Sequence, residues 1–423
     1  MKKFFIVAIV ALVCLGLTMP AVAKVKVGGR ITQDVIYYSA NDSRTRSLAQ
    51  FGGAGVPAFP VAAPNPDSSF SSVDIRLPRP LNRVNVTYSN DDNTIRGFIE
   101  IRGGSNPGAL DAMAGDNVQW NYAWIDWVLG PNDFFRFGRQ TQNFAIRAPA
   151  TFMGFNRGHI VGNNFGNVHG GTARNGVRWY HTFNDTVKLQ VMLLDPDTDG
   201  AEAIKAFSPQ VIGGATANVL EENVLPRLDV TVPLNFGSVR LWPSFTYLQQ
   251  KYDQTAPGTE DTVDIWGVAL GGRVTAGPLT FDAEITIGEN LGVGNYVGAA
   301  GAVPVAWNAG AGAGAGVDSI NDAKVTAWWL DVGWKIGPAT IHGIVGSFTI
   351  KREDDPMPAG ASSNIDLTRW MYGINVPIAV AKGFTIRPEI MAYDMDSGAT
   401  VANVTEVDFG KEFLIGVQFV LVF

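Results

Sequence analysis

Apolar and polar residues alternate at every second position along most of this chain after residue 24, and helical periodicity is hard to find there. That period constrains the fold most, because it puts successive side chains on opposite faces of a strand. In 95–102, Ile95, Gly97, Ile99 and Ile101 share one face, while Arg96, Glu100 and Arg102 share the other with Phe98. The same pattern sets Val187, Leu189, Val191 and Leu193 against Lys188 and Gln190. It also sets Phe281, Ala283, Ile285 and Ile287 against Asp282, Glu284 and Thr286. Each strand has a greasy face and a polar one.

The connections decide which face looks outward. Short Gly, Pro, Asn or Asp clusters at 90–93, 130–133, 184–186, 234–237, 276–278, 337–338 and 381–383 suit tight hairpins. Long segments at 41–72, 104–117, 141–173, 196–223, 251–261, 289–322, 351–366 and 396–410 alternate with them. A soluble sandwich or lectin-like roll would bury the greasy faces, but it does not sort its connections this way. Seven short turns and eight long loops join sixteen strands. The expected fold is all-β: a transmembrane antiparallel β-barrel of 16 strands, with short periplasmic turns and long extracellular loops in a bacterial outer membrane. A closed barrel also satisfies every backbone group within lipid.

The first 23 residues read differently. Lys2 and Lys3, an apolar run over 4–17, Pro20 and the small-x-small Ala21, Val22, Ala23 form a signal peptide that export removes. They also contain the one window apolar enough for a spanning helix. Residues 24–423 then form one domain, without an interdomain linker or a plug-sized segment. Cys14, the one cysteine, falls in the signal, so disulfides and thiolate metal sites are not expected. Losing Lys2 and Lys3 reduces 32 basic residues to 30 against 39 acidic ones, a balance that argues against nucleic acid as a partner. The uncharged stretch 290–317, rich in Gly and Ala, reads as a flexible outside loop. Aromatics near strand ends, Tyr37, Trp120, Tyr122, Trp124, Phe135, Phe137, Trp334, Phe384 and Phe423, suit interfacial girdles. Pro243 and Pro388 each remove a ladder donor, and bulges are expected there.

Three stretches carry a family likeness: Gly29, Arg30, Ile31 through Asp34; Phe137, Gly138, Arg139, Gln140; and Arg174, Asn175, Gly176, Val177, Arg178, Trp179. With the terminal Phe423, their order and spacing resemble the Gram-negative general porin family. The resemblance implies a sixteen-stranded barrel, a homotrimer, an aromatic terminus that serves as an assembly signal, and a third outside loop folded inward to narrow the pore. That constriction loop corresponds to about 141–173. The acidic turn that typical members carry in this loop, facing arginines on the wall, is absent here.

Between 134 and 184 there is no Asp or Glu, yet Arg136, Arg139, Arg147, Arg157, Arg174, Arg178, His159, His169 and His181 all fall there. If the loop enters the lumen, Arg136, Arg147, Arg157, Arg174 and Arg178 form a positive pore constriction that favours anions. Alternatively these arginines brace the loop against wall acids such as Asp34, Glu100 or Asp282, or bind lipid phosphates. Alternation places Arg30, Asp34, Arg96, Glu100, Arg102, Asp282, Glu284, Arg387 and Glu389 on the lumen wall.

Function classes follow from barrel width. Sixteen strands leave an aqueous lumen, so passive diffusion of small hydrophilic solutes and ions is the first reading, with an anion preference from the arginines. A structural sheath around a periplasmic partner is the alternative. An outer-membrane barrel hydrolase would need a nucleophile beside one of His159, His169, His181 or His342. No catalytic residue, cofactor or metal site is expected. The run Glu353, Asp354, Asp355 suits divalent bridging to lipid headgroups. The expected partners are outer-membrane lipid and lipopolysaccharide, the solutes, and further copies of the chain.

Overall fold

The computed structural model describes residues 24–40, 70–76, 82–104, 117–153, 173–194, 221–223, 227–252, 262–291, 305–307, 319–352, 365–397 and 410–423. The signal peptide, Arg157, His159, His169, the 353–355 acidic run and most of the long connections lie outside the described residues.

In chain order the strands are β1 (Lys24–Ala40), β2 (Phe70–Arg76), β3 (Arg83–Ser89), β4 (Ile95–Gly104), β5 (Asn117–Val128), β6 (Asp133–Thr141), β7 (Ala173–Thr182), β8 (Lys188–Leu194), β9 (Glu221–Asn223), β10 (Arg227–Thr231) and β11 (Leu234–Phe236). They continue as β12 (Val239–Tyr252), β13 (Thr262–Ala276), β14 (Leu279–Glu289), β15 (Val305–Trp307), β16 (Ser319–Asn321), β17 (Lys324–Ile336), β18 (Ala339–Arg352), β19 (Ile365–Asn375), β20 (Ile378–Ala381), β21 (Phe384–Ser397) and β22 (Gly410–Val422). All pairings are antiparallel, and β1 closes the sheet on β22 with Asp34 opposite Gln418. Some staves of the barrel are broken: β2 and β3 pair with successive stretches of β1, β9 to β11 with β12, and β19 and β20 with β21. Joined in this way, the segments make the closed 16-strand barrel that the alternation predicts.

Hairpin chemistry sets the short ends. Gly237, Gly277, Gly337 and Gly383 have φ of 78°, 58°, 57° and 78°, the left-handed region that two-residue hairpins need and that side chains resist. In the 90–94 turn, Asp92 accepts hydrogen bonds from Thr94 N (3.2 Å) and Thr94 Oγ1 (2.8 Å), which hold its carboxyl below the usual range.

The outer face is a belt of exposed apolar side chains, among them Ile125, Val268, Phe281, Ile287, Ile374 and Ile415. The strand neighbours of these residues, such as Asp126, Asp282 and Thr286, are buried. Apolar surface costs about 25 cal/mol per Å² in water, so this inside-out arrangement suits a lipid surround.

Three expectations need correction. Tyr122 and Trp124 do not join a lipid-facing girdle. The register shifts between Glu100 and Ile101 because Asn121 is an extra, unpaired residue within β5, so Trp120 faces out while Tyr122 and Trp124 face the lumen. Pro243 and Pro388 sit in continuous, in-register strands without a bulge. Each lies instead opposite a break in its neighbour, at 232–233 and 376–377: Val232 N donates to Pro243 O at 3.0 Å, and Val376 N to Pro388 O at 2.9 Å. The missing donors fall where the neighbouring stave is already interrupted. Finally, within the uncharged 290–317 stretch, β15 forms an antiparallel pair with β16.

Candidate functional site

After β6 the chain turns into the barrel. Residues 142–153 lie against the inner wall, and six of their backbone N–H groups donate to side chains taken in order around it, on β10, β12, β14, β17 and β21. Asn143 N donates to Asp229 Oδ2 (3.1 Å), Ala145 N to Ser244 Oγ (3.2 Å) and Arg147 N to Glu284 Oε2 (3.1 Å). Further along, Ala150 N donates to Asp331 Oδ2 (2.7 Å), Phe152 N to Glu389 Oε2 (2.8 Å) and Met153 N to Glu389 Oε1 (2.9 Å). Asp229 and Glu389 are separated by about seven inter-strand gaps, roughly 34 Å along the wall. Ten extended residues reach at most about 36 Å, whereas a helix of that length covers only about 15 Å. The segment therefore runs as an extended strap.

The wall is cut to receive the strap. A Cβ on Gly267 would stand 2.7 Å from Phe144 Cζ, one on Gly271 2.6 Å from Arg147 Cγ, and one on Gly416 2.8 Å from Met153 Sδ. At the far end Phe152 and Met153 enter an apolar cluster with Ile36, Ile344, Met371, Met391, Tyr393 and Leu414. Burying a Phe or Met side chain contributes about 1.5–3 kcal/mol. This cluster explains why β22 alternates imperfectly: Leu414 points inward at the strap rather than at water.

Buried carboxylates along this arc are satisfied by more than the strap. Asp229 takes Arg227 through both Nε (2.9 Å) and Nη2 (3.0 Å) and Thr246 Oγ1 (2.7 Å), all on residues fully withdrawn from solvent. Asp282 takes Arg147 Nη2 (2.5 Å) and Arg273 Nε (2.7 Å). His342 Nδ1 lies 2.8 Å from Asp331 Oδ1, and Glu389 also accepts from Thr151 Oγ1 and Asn375 Nδ2. A backbone N–H or guanidinium left without such a partner would cost about 1–3 kcal/mol or more, so these acids hold the strap.

Across the lumen, between β3 and β7, a cavity of about 380 Å³ remains. Arg83, Phe98, Glu100, Tyr122, Trp124, Arg136 and Arg178 line it, with the strap's root at Gln140 and Thr141. Phe98 stacks on Trp124 (centroids 5.3 Å apart, 18° between planes), and the Arg136 guanidinium lies 3.5 Å from the Trp124 ring centre. Asp126 is shared by Arg136 (Nε, 2.7 Å) and Arg96 (Nη2, 3.0 Å), while Glu100 takes Asn121 Nδ2 (2.5 Å) and Arg83 Nη1 (3.5 Å). Arg178 is held by neutral acceptors: Tyr180 Oη (2.7 Å), Thr141 O and Met192 Sδ.

The sequence-derived site is thus split. Arg136 and Arg178 come together at the cavity, with Arg96 nearby. Arg174 is buried on the same stave opposite Gln140, and Arg102 lies in register with Arg83. Arg147 is elsewhere, on the strap's far side and paired with Asp282. Bracing, not a bare positive charge, describes it. Arg30 donates to Thr32 Oγ1 (3.1 Å), and Gln418 joins Asp34 (2.9 Å) to Arg387 (2.9 Å) near the seam. Phe423 continues β22 by exchanging backbone hydrogen bonds with Gly29, and its ring occupies the slot that a Gly29 side chain would fill. Sequence reasoning missed Asp126, Asp229 and Asp331. Their inward parity was available, but nothing local marks which inward acid meets a strap and which meets an arginine.

No protein-family model and no curated protein sequence matches the chain. Solved structures do. The outer membrane channel DcaP of Acinetobacter baumannii superposes with TM-score 0.61 at 14% identity, covering 95% of this chain and 98% of that one. The anion-selective porin from Comamonas acidovorans gives TM-score 0.53 at 10% identity, over 95% and 100%. The outer membrane protein OmpT of Vibrio cholerae, in a trimer form, gives TM-score 0.53 at 10% identity, over 95% and 100%. At these identities the likeness is one of fold.

Proposed function

We propose that the chain is an outer-membrane porin, a water-filled channel for passive diffusion of small hydrophilic solutes and ions. The observation that carries this reading is a closed barrel, greasy outside and charged inside, whose strap is tied to one wall and leaves space against the other. Solved structures of the same fold include a channel and an anion-selective porin, which agrees with it. The positive constriction belongs to the β3–β7 wall: Arg83, Arg96, Arg136 and Arg178 face Glu100 and Asp126, an excess of guanidinium that favours anions where water is scarce. Residues 1–23 serve as the export signal, Phe423 as the assembly signal, and the functional unit is a homotrimer in contact with lipid and lipopolysaccharide.

Purified protein added to a planar bilayer should give large, steady conductance steps, with a reversal potential under a salt gradient on the anion side. A sheath for a periplasmic partner would give little or no current. Native mass in detergent should equal three chains, and a monodisperse single barrel would remove the trimer. The described histidines fit structural roles: His342 is bonded to Asp331, which also ties Ala150, and His181 is bonded to Asp133 at a strand end.

A further inference from the structure

The β3–β7 cavity combines three features that a plain water path does not need. The first is Arg178, a nearly buried guanidinium whose hydrogen bonds all go to neutral acceptors. Asp229, close enough to attract it, is already engaged by Arg227, Thr246 and the strap. A desolvated charge of this kind is stabilised by an incoming anion. The second is the guanidinium excess around it, with Arg83 on the same cavity and Asp126 serving two arginines at once. The third is a continuous aromatic surface. Phe98 is stacked on Trp124, and Trp124 carries Arg136 on its ring. Tyr122 has one ring contact among the described residues, tilted at 43° to Phe98 with centroids 6.4 Å apart.

We infer that this cavity is a binding station for small organic anions that join one acid group to a planar ring, with the acid group at Arg178 and Arg83 and the ring against Tyr122 and Phe98. The inference rests on the channel reading and adds the solute class to it. A carboxylate matches the guanidinium fork, and a ring extends a stack that already runs from Phe98 through Trp124 to the Arg136 cation. An inorganic anion uses the first set alone and a neutral ring the second alone. A cavity of about 380 Å³ takes a one-ring solute with its first waters.

The test is block of ion current through single channels in a planar bilayer, with benzoate, acetate and benzyl alcohol as the three probes. Benzoate should reduce chloride current saturably, at a half-blocking concentration roughly fivefold or more below that of acetate, a ratio of the size expected for ring and cation–π contacts. Benzyl alcohol should block weakly. In Tyr122→Leu and Phe98→Leu, which keep every arginine, the benzoate-to-acetate ratio should fall toward one. Steady conductance with equal block by benzoate and acetate overturns the inference and leaves the channel reading intact. So does a ratio unchanged in both variants. Absence of conductance from inserted protein overturns both.

Discussion

Charge serves different ends on the two sides of the lumen. Between β10 and β22 the inward acids Asp229, Glu284, Asp331 and Glu389 spend their lone pairs on backbone N–H groups of the strap, and Asp282 on Arg147 and Arg273. Between β3 and β7 the acids are fewer than the arginines, and among the described residues no strap covers them. One side is therefore an interior in the ordinary sense, with apolar side chains, satisfied polar groups and glycines shaped to a neighbour. The other is a wetted surface. Inward position in a barrel does not by itself make a residue part of the permeation path. What decides is whether something is packed on it.

This contrast can be broken where it is strongest. Replacing Glu389 by Ala removes the acceptor shared by Phe152 N, Met153 N, Thr151 and Asn375. With about 1 kcal/mol, the low end of the range, for each of the four stranded buried donors, the barrel should lose roughly 4 kcal/mol or more. The loss should appear as earlier thermal unfolding in detergent, together with noisy, flickering current as the strap's end detaches. Glu389→Gln keeps an acceptor oxygen and should fall between. A melting point unchanged in Glu389→Ala would mean that the strap is not tied as described.

A middle-sized effect is expected from crowding. In Gly267→Leu the new side chain collides with Phe144, and overpacking of this kind costs about 1–3 kcal/mol. Limited proteolysis should then cut within 142–153, where the parent protein resists. The smallest effect sharpens the division itself. Arg136→Gln leaves Asp126 to Arg96 alone and should move the reversal potential toward cations. Arg147→Gln should move it less, because Arg147 lies away from the cavity that Arg136 lines, although each is paired with a carboxylate. Equal shifts in the two variants would show that both arcs face the same water.

Period-two alternation made the strands and turns readable, because a lipid-facing side must be apolar at every second residue whatever the other side does. The inner side follows no such rule. Ile36, Met371, Met391 and Leu414 look like lapses in a polar pattern until Phe152 and Met153 are seen against them. Arg147 and Arg136 have the same local signature, and only the partner separates a brace from a cavity residue: Asp282, 135 residues on, for Arg147, and Asp126, ten residues back on the adjacent strand, for Arg136. At Asn121 a single extra residue turns Trp120 outward while Tyr122 and Trp124, on the parity of Asp126, face the lumen, a parity change that composition does not announce.

The strap also imposes an order in time. Its first anchor lies 86 residues further along the chain and its last 238, so 142–153 has nowhere to bind while the early strands form. Contacts of such long sequence separation are slow to gain, and here they need staves as distant as β10 and β21. Docking of the strap is therefore a record that the wall from β10 to β21 is complete. A barrel interrupted before that point would keep 142–153 loose inside an unfilled wall.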